Sequence, residues 1–577
     1  MTPSKENCTV ALDLGGTWVK GAKCPAGVLL PEPGDLEVQR WANILSVGTL
    51  SEEYAGFLAQ CCREIAGDCV IAKVVIATAG EVGPSGRDYR ITASHLEILS
   101  RERWIEKLES ELACSVSLIN DADAFLLGLA MGGDLPRIGN IGVLPIGTGV
   151  GFSMVRDGRR WMPGRRLNFL GSILTPEGNY DEWASAVSAA ERVGGDLTKL
   201  FSDERALEPY LSALGRIIAT AANLYFLNKI FVGGGLALAA HAAGFPLVKV
   251  LQAHMPLLPN LPRPEVEVVE QANLRTLQGA LGLAAGSFPA ETAAFKGAFH
   301  LLHTEQLGAT RDIEKMSPGQ IALSLAQSEQ AAGKDFLASA EALGSEAATI
   351  SGKLKNGGRV IYVGAGTSGR VAALDAVEIP CTYGVSRDRF VAVIAGGCAD
   401  AALTIESDSE EDFSAVPEMI LLHPGPLDTV VGISASGTAF FVRSALAYAK
   451  ARGSHTILIH EAAVEKQTFF DASIPLHSGP EMVCGSTRMK AGSATKKALN
   501  ILSTTAMILL GKVRSGHMVD LDCSNLKLRL RAVRILAELK SLSTEEAERL
   551  LASNAWNLPQ ILNEEGTAGS LPNQDAI

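Results

Sequence analysis

Glycines and hydroxyl residues close the apolar runs of this 577-residue chain at spacings that suit phosphate groups. In the second half, Gly364, Gly366 and Gly369 follow the β-branched run 360–363, with Thr367 and Ser368 among them. Such glycines let backbone N–H groups approach an anion, and a helix opening there adds its dipole. The G-x-G-x-x-G spacing also fits a dinucleotide, but that site carries an acidic residue at the end of the next strand. Here the next run, 390–395, ends in Gly396, Gly397 and Cys398. The hydroxyls therefore favour a small phosphomonoester such as a sugar phosphate, the alternative being a tight turn with no ligand. Ser434, Ser436 and Thr438 form a second hydroxyl-rich loop, and Ser486 and Thr487 a third.

The first half carries a different phosphate device. From Thr9 the stretch TVALDLGGTWVKGAK reads as strand, glycine turn, strand, unlike a helix-opening P-loop. This is the phosphate hairpin of an actin-like kinase fold, with Gly15, Gly16 and Thr17 against ATP phosphates and Asp13 orienting a Mg2+ shell. Asn120 and Asp121 stand where an apolar strand passes into a helix, a place for a general base to meet a sugar hydroxyl. Gly147, Thr148 and Gly149 supply a second glycine turn for phosphates, and Gly233 and Gly234 a third near the adenosine.

These residues need two or three domains to hold them, because 577 residues exceed one core. Hydrophobic residues at 47% and charged residues at 20% describe an ordinary globular chain. A net charge of −12 argues against nucleic acid as a partner. The ten cysteines are scattered and read as buried free thiols; Cys61, Cys62 and Cys69 have no histidine nearby to complete a metal site. The polar N-terminus passes straight into a strand without a secretory signal, and the apolar stretch 499–513 is shorter than a membrane span. A cytoplasmic protein without membrane partners is the expectation. In the second half, a helical segment 318–355 precedes strands at 359–364, 390–395, 429–434 and 455–460, with helical runs between. That alternation implies a parallel sheet covered by helices, its site at the strand C-termini.

The motifs GAGTSGR, LDAVEIPCTYGV, IAGG, GISASG, GPEMVCGSTRMKAGSATKKALNILSTTAMILLGKV and MVDLDCSNLKLRLRAVRI occur in that order between Gly364 and Ile535. Together they resemble the N-acetylmuramic acid 6-phosphate etherases, which have a sugar isomerase (SIS) fold. The resemblance implies a carbon–oxygen lyase that needs no cofactor or metal and works through two carboxylates. It gives Glu378 the general-acid role, and flanking Val377, Ile379 and Pro380 are expected to desolvate that carboxyl. The second carboxylate falls in the acidic run 405–412, where one inserted residue places Glu410 at the base position and an ungapped match places Ser409 there, with Glu406 also near. Glu410 is the expected base, the alternative for this run being a solvated helix face. Thr438-Ala439-Phe440-Phe441 departs from the Arg-Thr-Pro-Tyr usual in the family.

The set Asp13 to Thr17, Asn120-Asp121, 143–151 and 230–235 is similar to the ROK (repressor, ORF, kinase) family of sugar kinases across residues 8–287. The family's Glu-x-Gly-His segment and cysteine-rich zinc loop are not matched at 169–172, so no zinc is expected. Asp181 falls where the family has a sugar-binding glutamate, and reads alternatively as a charge at a helix N-terminus. A structural ATPase-like domain without activity is a further alternative for this half.

The expected architecture is thus α/β throughout: an actin-like ATPase (ribonuclease H-like) kinase domain at 1–290, a linker at 291–303, an SIS-type parallel α/β/α sandwich at 304–542, and a C-terminal helical piece and tail at 543–577. The joint resemblance implies a bifunctional enzyme of peptidoglycan-sugar recycling, using ATP and Mg2+ in its first half and acting on amino sugars and sugar phosphates, as a homodimer. The competing reading is a regulator, because glucokinase regulatory protein resembles the etherases and uses its sugar-phosphate site for sensing.

Overall fold

A computed structural model of the chain describes residues 6–26, 35–44, 51–82, 89–90, 104–136, 138–156, 158–160, 170–175, 178–255, 262–285, 306, 312–397, 415–461, 468–521, 523 and 525–563. Two compact units divide them, one within Met1–Pro289 and Asp412–His423, the other within Ala290–Glu411 and Pro424–Ile577.

The first unit repeats one sheet pattern. β1 (Asn7–Leu14) pairs antiparallel with β2 (Trp18–Pro25), which pairs antiparallel with β3 (Gln39–Ala42). On its other side β1 runs parallel to β4 (Val70–Thr78), and β4 parallel to β5 (Ser115–Asn120), giving the order β3-β2-β1-β4-β5. The second sheet has β6 (Asn140–Pro145), β7 (Ser153–Arg156), β8 (Arg159–Arg160), β9 (Lys229–Gly233) and β10 (Glu265–Val268) in the order β8-β7-β6-β9-β10. Its senses are the same: β6, β7 and β8 antiparallel, β6, β9 and β10 parallel. Two copies of this five-strand arrangement make the ribonuclease H-like frame expected of the actin-like ATPase fold. Helix α1 (Asp121–Met131) leaves the end of β5, α2 (Tyr180–Ala184) follows the second glycine turn, α3 (Gly235–Ala242) opens after β9, and α4 (Ala272–Ala285) packs along α1. The seven-residue helix Val416–Leu422 also belongs to this unit, with Val416, Met419 and Ile420 buried.

In the second unit, α5 (Ala340–Lys355) precedes β11 (Val360–Gly364), α6 (Gly366–Tyr383), β12 (Phe390–Ile394), β13 (Thr429–Ile433), β14 (His455–His460), β15 (Ala472–Pro475) and α7 (Lys490–Leu509). The strands form one fully parallel sheet in the order β12-β11-β13-β14-β15. Every residue of β11, β12 and β13 is buried, as a sheet with both faces covered by helices requires. β15 was not anticipated; its four residues end in proline and carry too short a pattern to read. Helices Leu526–Lys540, Thr544–Ser553 and Leu558–Asn563 share a small core of Ala532, Leu536, Leu551 and Leu558. The expected linker 291–303 and the tail beyond Asn563 lie outside the described residues.

The cysteines depart in part from the expectation of burial. Cys8, Cys24, Cys61, Cys62 and Cys523 are buried, but Cys381 and Cys484 are exposed, one on the outward face of α6 and one in the segment leading to α7. Burial pushes the Cys8 and Cys24 thiols up to about 11, which keeps them unreactive. Among the described residues no helix is long and apolar enough to cross a membrane, and no group of three or more His, Cys, Asp or Glu side chains is arranged to hold a metal ion.

Candidate functional site

In the first unit three glycine turns meet. The Gly16 amide, in the turn between β1 and β2, donates to the Thr148 hydroxyl at 3.0 Å. The Ile146 amide, just before Gly147, donates to the Gly233 carbonyl at 2.9 Å. Gly234 has φ +88°, and a Cβ there would lie 2.4 Å from the Ile146 carbonyl oxygen, so only glycine fits. Gly15, Gly16, Gly147, Thr148 and Gly149 are partly exposed and Thr17 is exposed, leaving the turn backbone open to a ligand.

Two carboxylates stand beside these turns, at the C-terminal ends of β1 and β5. Asp13 lies opposite Lys20 in the β1–β2 register, and the Lys20 ammonium is 3.3 Å from Asp13 Oδ2 and 3.0 Å from Asn273 Oδ1. Burial, and after it the charge of Asp13, pushes the Asp121 carboxyl up to about 6. Two crowded oxygen donors of this kind fit a hard cation such as Mg2+. Asn120 is the N-cap of α1: its Oδ1 accepts from the Ala122 and Asp123 amides at 3.0 and 3.2 Å, and its Nδ2 donates to the Gly80 carbonyl at 2.9 Å. The amide expected at the sugar is thus engaged on the backbone. Asp181 sits in the first turn of α2, and its Oδ1 accepts from the Val150 amide at 2.7 Å. It braces the second glycine turn, a role that neither reading of the sequence anticipated.

In the second unit, Gly364 and Ile433 are register partners, so the loops after β11 and β13 leave the sheet side by side. At α6 the N-cap is Ala365 and no side chain caps the first turn, where Thr367 and Ser368 are partly exposed. A Cβ on Gly369 would lie 2.6 Å from the Gly364 carbonyl oxygen, so glycine lets the helix begin directly against the strand. Beside it, the Ser436 and Thr438 hydroxyls share a hydrogen bond of 2.6 Å, and Ser434 Oγ accepts from the Ala439 amide at 3.4 Å. The third loop reaches the first: a Cβ on Gly492 would lie 3.4 Å from the Thr367 methyl and 3.5 Å from the Thr487 carbonyl oxygen. Ser486 and Thr487 are partly exposed ahead of α7.

Glu378 occupies the outward face of α6, with its side chain 54% exposed and its Oε2 3.1 Å from the Lys496 ammonium on α7. The expectation of an apolar flank that desolvates it is corrected here. Ile379 is buried, but Val377 is 68% exposed and points to solvent, because a helix turns successive residues about 100° apart. Glu410, Ser409 and Glu406 lie outside the described residues.

Three site residues escaped the sequence reading. Lys496 lies within the KAGSATKK motif already singled out, and Asp375 within LDAVE, three residues before Glu378. Glu461, directly after β14, is buried; its amide donates to the Ala435 carbonyl at 3.0 Å, and its Oε2 accepts from the Ser478 amide at 2.9 Å. Burial pushes this carboxyl up to about 7, and its Oε1 makes no hydrogen bond. Glu481 has a different task, accepting from the Lys490 and Ala491 amides at the start of α7 at 3.2 and 3.0 Å.

A parallel α/β/α sandwich with three hydroxyl-bearing loops at its strand C-termini defines the second unit as an SIS domain. Residues 343–450 match the family model for the glucokinase regulatory protein N-terminal SIS domain. The N-acetylmuramic acid 6-phosphate etherase of Synechocystis sp. is 40% identical over 268 residues, 46% of this chain and 87% of that protein. That of Rippkaea orientalis is 42% identical over 258 residues, 44% of this chain and 83% of that protein. Through this half the chain belongs to the N-acetylmuramic acid 6-phosphate etherase family. Solved structures similar to it include a ROK family glucokinase from Streptomyces griseus, at 18% identity and TM-score 0.40, covering 48% of this chain and 100% of that one. An inorganic polyphosphate/ATP-glucomannokinase from Arthrobacter sp. is similar at 23% identity and TM-score 0.36, covering 48% and 98%.

Proposed function

We propose that the chain is a bifunctional enzyme. Its first unit transfers a phosphoryl group from ATP to O6 of N-acetylmuramic acid or a related amino sugar. Its second unit cleaves the D-lactyl ether of the 6-phosphate, giving N-acetylglucosamine 6-phosphate and D-lactate. The observation that carries this reading is the pairing, in one chain, of an etherase-family half with a half in which Asp121 stands beside three converging glycine turns.

In the first unit Asp121 accepts the proton of the sugar hydroxyl, while backbone N–H groups of Gly15, Gly16, Gly147 and Gly149 hold the phosphates of ATP. Asp13 would hold Mg2+, which when bound offsets phosphate charge. In the second unit Thr367, Ser368, Ser434, Ser436, Thr438, Ser486 and Thr487 line the sugar-phosphate cradle. In the ring-opened sugar the C1 aldehyde acidifies the C2 proton, which a carboxylate base removes; Glu410 takes that role in this reading. The C3–O bond breaks and Glu378 gives its proton to the departing lactate oxygen. Water then adds to the unsaturated aldehyde. Each such proton transfer contributes ~10²–10⁴-fold.

A homodimer belongs to the same reading. Leu374 and Val377, 45% and 68% exposed, lie beside Glu378 on the outer face of α6, an apolar surface of the kind a second copy covers. Sedimentation of the intact chain as a monomer would remove it. A second reading, a sugar-phosphate sensor that controls the attached kinase, is favoured by the regulatory-protein match over 343–450.

D-lactate release from N-acetylmuramic acid, with and without Mg-ATP and beside Glu378→Ala, separates the readings. Lactate that requires ATP and vanishes in the variant supports both activities in sequence. No lactate even from the 6-phosphate sinks the etherase claim and leaves the sensor.

A further inference from the structure

Behind Glu378 lies a set of charged groups that the acid and base roles leave unused. Asp375 and Glu378 are three residues apart on α6 and so share one side of the helix. Lys496, reaching from α7, sets its ammonium 3.1 Å from Glu378 Oε2 and 4.0 Å from Asp375 Oδ1. The two carboxylates differ sharply in setting, since the Glu378 side chain is 54% exposed and that of Asp375 only 3%.

Asp375 is fixed from two further elements. Its Oδ2 accepts from the Tyr362 hydroxyl of β11 at 2.9 Å, and its Oδ1 from the Ser503 hydroxyl of α7 at 3.3 Å. Burial pushes the Asp375 carboxyl up, an effect opposed by Tyr362, Lys496 and Ser503 and reinforced by Glu378. The titratable groups set against Lys496 are therefore Asp375 and Glu378 on α6, with Tyr362 behind Asp375.

We propose that Lys496 and Asp375 form a positioning relay for Glu378, in which one ammonium is shared between an anchored buried carboxylate and the working one. This rests on the etherase reading of the second unit. A lysine free at a surface samples many rotamers, and tethering it to a buried charge removes most of them. When Glu378 gives its proton to the leaving oxygen, the carboxylate left behind already faces the ammonium. When Glu378 is protonated, the ammonium remains held by Asp375. Glu378 thus changes charge without losing its place.

The test uses the full-length chain with N-acetylmuramic acid 6-phosphate and compares wild type, Lys496→Met, Lys496→Arg and Asp375→Asn. D-lactate release by wild type decides the etherase reading by itself. For the relay, Lys496→Met is expected to lower kcat about 10–100-fold, the equivalent of one lost hydrogen bond to a charged group, with KM little changed. Lys496→Arg is expected to restore most of the rate. A readout independent of turnover is the NMR titration of the Asp375 carboxyl, whose midpoint rises in Lys496→Met because the cation that lowers it has been removed. An unchanged kcat in Lys496→Met, or an Asp375 midpoint that this substitution leaves unmoved, overturns the relay, and the NMR arm decides it even if wild type releases no lactate.

Discussion

The amide of Gly16 and the hydroxyl of Thr148, 132 residues apart in sequence, meet at 3.0 Å. This single bond joins the turn that leaves β1 to the turn that leaves β6, one from each sheet of the first unit. Thr148→Val keeps the shape and removes the acceptor. A hydrogen bond of this kind contributes about 1 kcal/mol, so ATP is expected to bind about 5-fold more weakly, with Thr148→Ser close to wild type. Titration calorimetry checks both, and an unchanged affinity in the valine variant would show that the turns hold together without it.

In the proposed kinase reaction Asp121, as the base, would set the acid side of the pH profile. Its carboxyl is raised from 3.8 to about 6, by burial first and then by Asp13, so phosphorylation should fall off below about pH 6 as the base takes up a proton. Asp13→Asn removes one cause of the rise and should move residual binding of Asp121 protons to lower pH. Between 3.8 and about 6 the folded state holds this proton more tightly than the unfolded one, so its contribution to stability is lost as pH rises through that window. Asp121→Asn should therefore raise the melting temperature of the first unit near neutral pH while abolishing phosphate transfer. Calorimetry beside a coupled ATPase assay reads both.

Glu461 makes the corresponding prediction for the second unit. Its carboxyl is raised to about 7, chiefly by burial, so the neutral form stabilises the fold and that stability is lost as pH rises from the ordinary carboxylate value through about 7. Glu461→Gln keeps an acceptor for the Ser478 amide and cannot ionise. Urea denaturation at about pH 5 and about pH 8 should show a decline in wild type that the variant lacks.

Arg359 and Asp428 tie the entry of β11 to that of β13. The guanidinium Nη2 lies 2.7 Å from Asp428 Oδ2, while the Arg359 amide and Nε donate to Oδ1 at 2.9 and 3.2 Å. Their side chains are only 13% and 9% exposed. Asp428→Ala removes the carboxylate facing this guanidinium and is expected to cost about 3–5 kcal/mol, read as a lower urea midpoint for the second unit. A loss below about 1 kcal/mol would mean that water replaces the carboxylate there.

Much of the frame was legible because its signals are local. The run 360–363 appears as the strand Val360–Gly364, and TVALDLGGTWVKGAK as the hairpin Asn7–Leu14 and Trp18–Pro25, since β-branched runs bounded by glycine leave few alternatives. What sequence could not give was the partner of each polar group. Asn120, expected at the sugar, also caps α1 through its Oδ1, and Asp181 also accepts from the Val150 amide, pairings that no local pattern announces. Glu378 was found through its motif, but its exposure and its lysine depend on how α6 lies against α7. Glu461 has no motif; only the burial of the residue following β14 marks it.

The doubled sheet of the first unit has a consequence for how its ligand is felt. In the proposed kinase reading neither copy of the five-strand pattern would own a whole phosphate site; each would lend one turn, and the two turns are joined by contacts as slight as that between Gly16 and Thr148. A triphosphate bound across both turns would act as a gauge of their spacing. Any substitution that shears one sheet against the other, however far from the glycines, will register first as a change in nucleotide affinity.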